Sequence, residues 1–271
     1  MVELSTHFPV ETVLSFIQLN APIRNSYNDR THPIGGDRIR KEELSAGGRR
    51  ITLFLADTAG RPLVVLNEYS GDGSKVADAV KSGCDKEFNL LCVSGLDWNH
   101  DMAPWDSPPA FKGDTPCTGG ADRYLDTLTK EIIPEALEHV NGKPSSIGIA
   151  GYSLAGLFAV YSIYRCDMFD RVASMSGSMW FPDFTDFVAS HEPMRRPDRM
   201  YISLGDAERN TRNPLLRTVQ DRTEWLVSHY REAGLDVNWE LNPGNHFKDP
   251  DLRCAKGIIS MISDDIRQNR R

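Results

Sequence analysis

The stretch that decides the fold is IGIAGYSLAGLFAVYSIYR, Ile147 to Arg165. With the two serines before it, its first part, SSIGIAG at 145–151, reads as a buried strand. Its second part, LAGLFAVYSIYR at 154–165, reads as a helix. A polar residue, Ser153, sits at the turn between them, with Gly151 two positions before it and Ala155-Gly156 after it. A turn this tight has no room for large side chains two positions either side of the serine, and Gly151 and Ala155 meet that demand.

Such a strand–turn–helix unit holds the serine in a strained backbone conformation, with its hydroxyl at the C-terminal edge of a sheet. The first helical amide, that of Leu154, points at the same spot and stabilises a developing oxyanion with help from the helix N-terminus. The pattern is Gly-x-Ser-x-Ala, one residue away from Gly-x-Ser-x-Gly. The competing reading is a serine N-cap on an ordinary helix.

Working outward, apolar runs alternate with helical patterns, which predicts an α/β fold with a largely parallel sheet covered on both faces. Strands are expected at 50–57, 62–69, 88–95, 171–178, 199–206 and 237–244. Helices are expected at about 120–140, where Tyr124, Leu125, Leu128, Ile132 and Ile133 keep helical spacing, at about 212–233, and at the close of the chain. The segment 179–197 has aromatics and prolines without a clear period and reads as an insertion over the sheet edge that carries the site. LSFIQLN at 14–20 reads as an extra antiparallel strand, and the polar 25–48 as a long hairpin loop. All 271 residues are read as one domain.

A serine hydroxyl needs a histidine base, and the base needs an acid to orient it. On this kind of sheet the chain order is Ser, acid, His. Three of the seven histidines, His191, His229 and His246, follow Ser153. His191 falls in the irregular segment and His229 inside a helix, whereas His246 in NPGNHFKDP lies in the loop between the last strand and the last helix, where the base belongs. The acid follows RMYISLG, where Asp206 and Glu208 both qualify.

The formal charge of −7, from 38 acidic and 31 basic residues, argues against a nucleic-acid partner. No apolar run is long enough to span a bilayer, and the opening MVELSTHFPVETV lacks the basic start and apolar core of a signal peptide. Five widely spaced cysteines without a CxxC fit free thiols in the cytoplasm, which is the expected location. His100 and Asp101 lack a second ligand pair for a metal, and GDG at 71–73 lacks the Gly-Lys-Ser of a phosphate loop.

Together GYSLAGLFAVY, SMSGSMWF, SLGDAE and NPGNHF resemble the putative esterase family of α/β-hydrolases, which includes esterase D-like enzymes, feruloyl esterases and enterochelin esterases. The resemblance covers about 50–265, and SGSMWF is closer to the siderophore esterase branch. It implies the α/β-hydrolase fold, Ser153 as nucleophile, His246 as base, and Glu208 in preference to Asp206 as acid. It implies a small-molecule ester substrate and needs neither a cofactor nor a catalytic metal. Where family members carry His-Gly or Asp-Gly after the third strand, this chain has LNEYSGDGS, so Tyr69 or Ser70 must supply the second oxyanion amide.

Trp98, Trp105 and Trp180 are candidates to wall an aromatic-lined pocket. For an anionic iron–catecholate substrate, Arg195 and Arg196, or Arg24, Arg30, Arg38 and Arg40, are candidate partners. The competing functions are a feruloyl, aryl or thioester hydrolase, and a non-catalytic binding protein on the same scaffold.

Overall fold

The computed structural model describes residues 40–110 and 113–263. β1 (Arg40–Ala46) and β2 (Arg49–Leu55) form an antiparallel hairpin. Gly47 and Gly48 turn it with φ of 55° and 70°, the left-handed values that a two-residue hairpin turn requires. β3 (Leu63–Asn67), α1 (Ser74–Gly83) and β4 (Asn89–Ser94) follow. A long connection then carries the short helix α2 (Trp98–Asp101) and a two-stranded pair, β5 (Asp106–Ser107) and β6 (Cys117–Thr118).

α3 (Ala121–Thr127) passes through a π turn (Leu128–Ile132) into α4 (Ile133–His139). The wider turn comes just before Pro134, which has no amide to donate to the preceding turn. β7 (Ile147–Tyr152), α5 (Leu154–Ser162), β8 (Arg171–Met175), α6 (Phe184–Ser190), β9 (Arg199–Gly205), α7 (Val219–Glu232), β10 (Val237–Asn242) and α8 (Pro250–Ile262) complete the described chain.

The eight-stranded sheet has the order β1-β2-β4-β3-β7-β8-β9-β10. From β4 to β10 every neighbouring pair is parallel, while β2 is antiparallel to both β1 and β4. Both faces are apolar, as a sheet with helices on each side demands. Leu63 and Val65 of β3 face one cluster, with Leu125, Ile132, Leu157, Phe158 and Leu226. Val64 and Leu66 face the other, with Val76 and Val80 of α1 and Ile258 and Met261 of α8. This is the α/β-hydrolase fold.

Three stretches differ from their sequence reading. Residues 40–46 form β1, although the sequence places them in a long loop. The charges that read as loop are those of an edge strand, alternating with Leu44 and Ala46, which pack on the core. The remainder of that loop and 14–20 lie outside the described residues. The segment 74–83, left without an element by its sequence pattern, is α1, with Val76, Ala77 and Val80 buried. The segment 179–197 carries α6, whose Phe184 and Val188 are buried, and it forms the crossover from β8 to β9.

Candidate active site

β7 ends at the turn that carries Ser153, whose φ of 58° and ψ of −122° are strained for a residue with a side chain. The chain is held there by the Ser153 amide, which donates to the Met175 carbonyl at 3.1 Å, and by the Ser153 carbonyl, which accepts the Ser178 amide at 3.0 Å. The glycines are a steric necessity. A Cβ on Gly151 would lie 2.2 Å from the Ala155 carbonyl oxygen, and one on Gly156 would lie 2.8 Å from Ser174 Oγ.

His246 sits in the loop between β10 and α8. Its Nε2 is 3.1 Å from Ser153 Oγ, and its Nδ1 is 2.7 Å from Glu208 Oε2. Glu208 is buried, its side chain 4% exposed, while that of His246 is 31% exposed. Burial pushes the Glu208 carboxyl up, but hydrogen bonds from His246, Ser176 and the Gly205 amide outweigh it and hold the group below the usual carboxylate range. A carboxylate at Oε2 makes Nδ1 the donor and leaves Nε2 to accept the serine proton.

Ser176 Oγ donates to Glu208 Oε1 at 2.7 Å and the Gly205 amide donates to the same oxygen at 2.6 Å. Asp206, the other acid after β9, turns elsewhere and accepts the Gly244 amide at 2.8 Å. Tyr152 Oη donates to the His246 carbonyl at 2.6 Å. Arg253 of α8 reaches Glu208 Oε1 at 3.0 Å, and the sequence reading missed it. Its signal was present: it falls on the buried stripe of α8 with Gly257 and Met261, and a charge on an apolar stripe demands a partner.

The Leu154 amide has no hydrogen-bond acceptor among the described residues, as expected of the first N–H of a helix. Asn67 at the end of β3 pairs with Gly151 of β7, so Tyr69 and Ser70 leave the sheet beside the Ser153 turn. The Tyr69 ring is half exposed and meets Trp98 edge-on at 5.1 Å.

Trp105 and Trp180 pack against the core. Trp105 lies against Phe181 and Phe187, with ring centroids 5.8 and 5.6 Å away, and its Nε1 donates to the Pro182 carbonyl at 3.1 Å. Trp180 packs on Phe181, and its carbonyl accepts Arg222 at 3.1 Å.

Three of the candidate arginines, Arg195, Arg196 and Arg40, are engaged elsewhere. Arg195 pairs with Asp170, whose other oxygen accepts the amide of Ile147, the first residue of β7. Arg196 donates to the Ala233 carbonyl at 3.2 Å, just before β10. Both therefore lie at the N-terminal edge of the parallel strands, the edge opposite Ser153. Arg40 donates to the His139 carbonyl. Arg24, Arg30 and Arg38 lie outside the described residues.

His100 bonds Thr118, and Asp101 pairs with Arg49 at 2.5 Å. Among the described residues there is no cluster of three or more His, Cys, Asp or Glu able to hold a metal ion, and no helix is long and apolar enough to cross a membrane.

Residues 79–244 match the family described as "Putative esterase", and the chain belongs to that family. It is therefore an ester hydrolase by family. A Bacillus subtilis relative, the uncharacterized protein YbbA, is 25% identical over 204 residues, 71% of this chain and 82% of the relative. Among solved structures, an IroE-like serine hydrolase from Shewanella oneidensis superposes with a TM-score of 0.68 at 15% identity, covering 84% of this chain and 83% of that one. The siderophore hydrolase EstA from Aspergillus nidulans gives 0.63 at 17% identity over 87% and 99%. The enterobactin esterase FES from Shigella flexneri gives 0.60 at 17% identity over 83% and 60%.

Proposed function

We propose that this chain is a serine carboxylic-ester hydrolase in which Ser153, His246 and Glu208 act as a triad. The observation that carries the reading is the continuous hydrogen-bonded line from Ser153 Oγ through both nitrogens of His246 to the buried Glu208 carboxylate, at 3.1 and 2.7 Å. The strained turn at Ser153 supports it, since such strain persists where the surrounding structure enforces it.

In this reading Ser153 Oγ attacks the ester carbonyl carbon as its proton passes to His246 Nε2. The tetrahedral oxyanion accepts hydrogen bonds from the Leu154 amide and from the amide of Tyr69 or Ser70. Collapse breaks the ester C–O bond, and His246 returns the proton to the leaving alcohol. Water, deprotonated by His246, then attacks the acyl-enzyme and releases the acid and the free serine. Glu208 holds the imidazole in the required tautomer throughout.

A siderophore-type ester is the first substrate class to test, on the strength of relatives described as a siderophore hydrolase and an enterobactin esterase. A second reading, an aryl or feruloyl ester, is favoured by the exposed rings of Tyr69 and Phe247, the latter edge-on to His246 at 5.4 Å. A cytoplasmic location accords with five free cysteines.

The test is a fluorophosphonate probe followed by peptide mass spectrometry, then hydrolysis of siderophore and aryl ester panels. An adduct on Ser153 that is lost in His246→Ala is expected. Undiminished ester hydrolysis by a folded Ser153→Ala variant would overturn the reading.

A further inference from the structure

The proposed triad has three side chains, but a fourth, the charged Arg253, lies at the centre of the same network. Arg253 is as buried as Glu208, with side chains 3% and 4% exposed. Its Nη1 donates to Glu208 Oε1 at 3.0 Å and to Ser176 Oγ at 2.9 Å, with Tyr152 Oη at 3.3 Å. Its Nη2 donates to the carbonyls of Pro243 and Asn245, both at 3.1 Å. One planar fork thus joins the acid to the loop that carries the base.

We propose that Arg253 is a positioning residue for ester cleavage, acting through Glu208 and the 243–246 loop without touching substrate. This rests on the triad reading of the preceding subsection.

Two consequences follow from the geometry. First, Arg253, Ser176 and the Gly205 amide all donate to Oε1, which leaves Oε2 to His246 and fixes the plane of the carboxylate. Second, the backbone around His246 is pinned from two sides. Arg253 takes the carbonyls at 243 and 245, and Tyr152 takes the carbonyl of His246 itself. Moving either anchor swings the imidazole relative to Ser153.

A guanidinium suits this task because it is planar, always charged and donates in two directions at once. Lysine presents one ammonium and cannot span the carboxylate and both carbonyls. The groups facing the Glu208 carboxyl are His246 from its loop, Arg253 from α8, Ser176 after β8, Tyr152 from β7, and the Gly205 amide on its own segment. Removing Arg253 takes away the guanidinium that offsets a buried carboxylate, so Glu208 gains its proton at higher pH.

The experiment compares wild type, Arg253→Met and Arg253→Lys. Folding is followed by circular dichroism, active sites are counted by fluorophosphonate titration, and kcat, KM and the pH profile are measured with p-nitrophenyl acetate. Arg253→Met is expected to lose kcat per titrated site on the order of 100-fold and Arg253→Lys on the order of tenfold, the scale of lost charged hydrogen bonds. KM should stay near wild type, and the acid limb of kcat/KM should move to higher pH in Arg253→Met.

A folded Arg253→Lys with wild-type kcat per site overturns the proposal, whether or not Arg253→Met folds. Fewer titrated sites, each with wild-type kcat and an unmoved acid limb, would make Arg253 a structural residue only and overturn it equally. A wild-type chain that takes up no probe and cleaves no ester removes the triad reading and this proposal together. An active wild type with an unimpaired Arg253→Lys removes the proposal alone.

Discussion

The carboxylate of Asp206 accepts the Gly244 amide at 2.8 Å, which makes the first acid after β9 a brace for the loop that carries His246. The brace is doubled in the backbone, where the Asp206 amide donates to the Asn242 carbonyl and the Ala207 amide to the Gly244 carbonyl. Glu208, two residues on, turns inward and meets the imidazole at 2.7 Å. The two acids should therefore part company on substitution. Glu208→Gln keeps the shape but removes the charge that fixes the tautomer, and kcat should fall roughly 10²–10⁴-fold. Asp206→Asn keeps an acceptor for Gly244, and kcat should stay within a few-fold of wild type. Steady-state kinetics on both variants with one ester decides this, and equal losses would remove the distinction between them.

Gly151 and Ala155 test the turn itself. A Cβ on Gly151 would press on the backbone oxygen of Ala155 at 2.2 Å, and backbone cannot swing aside as a flexible side chain does. Gly151→Ala should cost about 1–3 kcal/mol, the usual penalty of overpacking. It should also displace Ser153, and a shift of about 1 Å at a reacting group costs on the order of 100-fold in rate. Ala155→Gly removes atoms from the same contact and should keep activity while weakening α5 by about 1 kcal/mol. Thermal melts paired with probe labelling separate the two effects. Gly151→Ala labelling at the wild-type rate would contradict the steric account.

Trp105 belongs to packing. Its ring meets Tyr161 of α5, Phe181, and Phe184 and Phe187 of α6, all within 6.4 Å, and its indole N–H is satisfied by Pro182. Trp105→Ala should destabilise by about 3 kcal/mol, the low end for an aromatic truncation, because the ring is only partly buried. Below the melting temperature KM should hardly move. A KM raised tenfold in a variant of unchanged melting temperature would return Trp105 to the pocket wall.

How much of this was legible follows from how local each constraint is. The β7–Ser153–α5 unit was legible because its steric demand lies within five residues, from Gly151 to Ala155. The histidine was legible because the chain order leaves one loop for it. The acid stayed divided between Asp206 and Glu208 because both follow the same strand, and only the direction of each side chain separates them. β1 was illegible because its charges alternate on an edge strand where one face is solvated, which a composition reading takes for a loop. Arg195 and Arg196 lie on the edge away from Ser153, and the sequence did not show this because it gives no indication of which edge of the sheet a crossover returns to. Arg195 and Arg196 follow α6, and α6 runs back toward the N-terminal edge.

Glu68 gives the pH dependence of stability. It follows β3, half-buried on the face of the sheet shared by α1 and α8, and it has no side-chain hydrogen bond among the described residues. Burial, with Asp251 and Asp72 as like-charged neighbours, raises its carboxyl from 4.5 to about 7. Asp72 stays ionised throughout, because its hydrogen bond from Lys41 at 2.7 Å holds it down at about 2. The sign is that of a raised acid. The fold prefers neutral Glu68, so its contribution is fully present below pH 4.5 and is lost as pH rises through about 7. Glu68→Gln mimics the neutral form at every pH. Its melting temperature should match wild type at pH 4 and exceed it by a few degrees at pH 8, with the gap opening across the interval between. Scanning fluorimetry on the two proteins from pH 4 to 8 measures this. A gap that does not change with pH would show that Glu68 ionises in the fold as readily as it does in the unfolded chain.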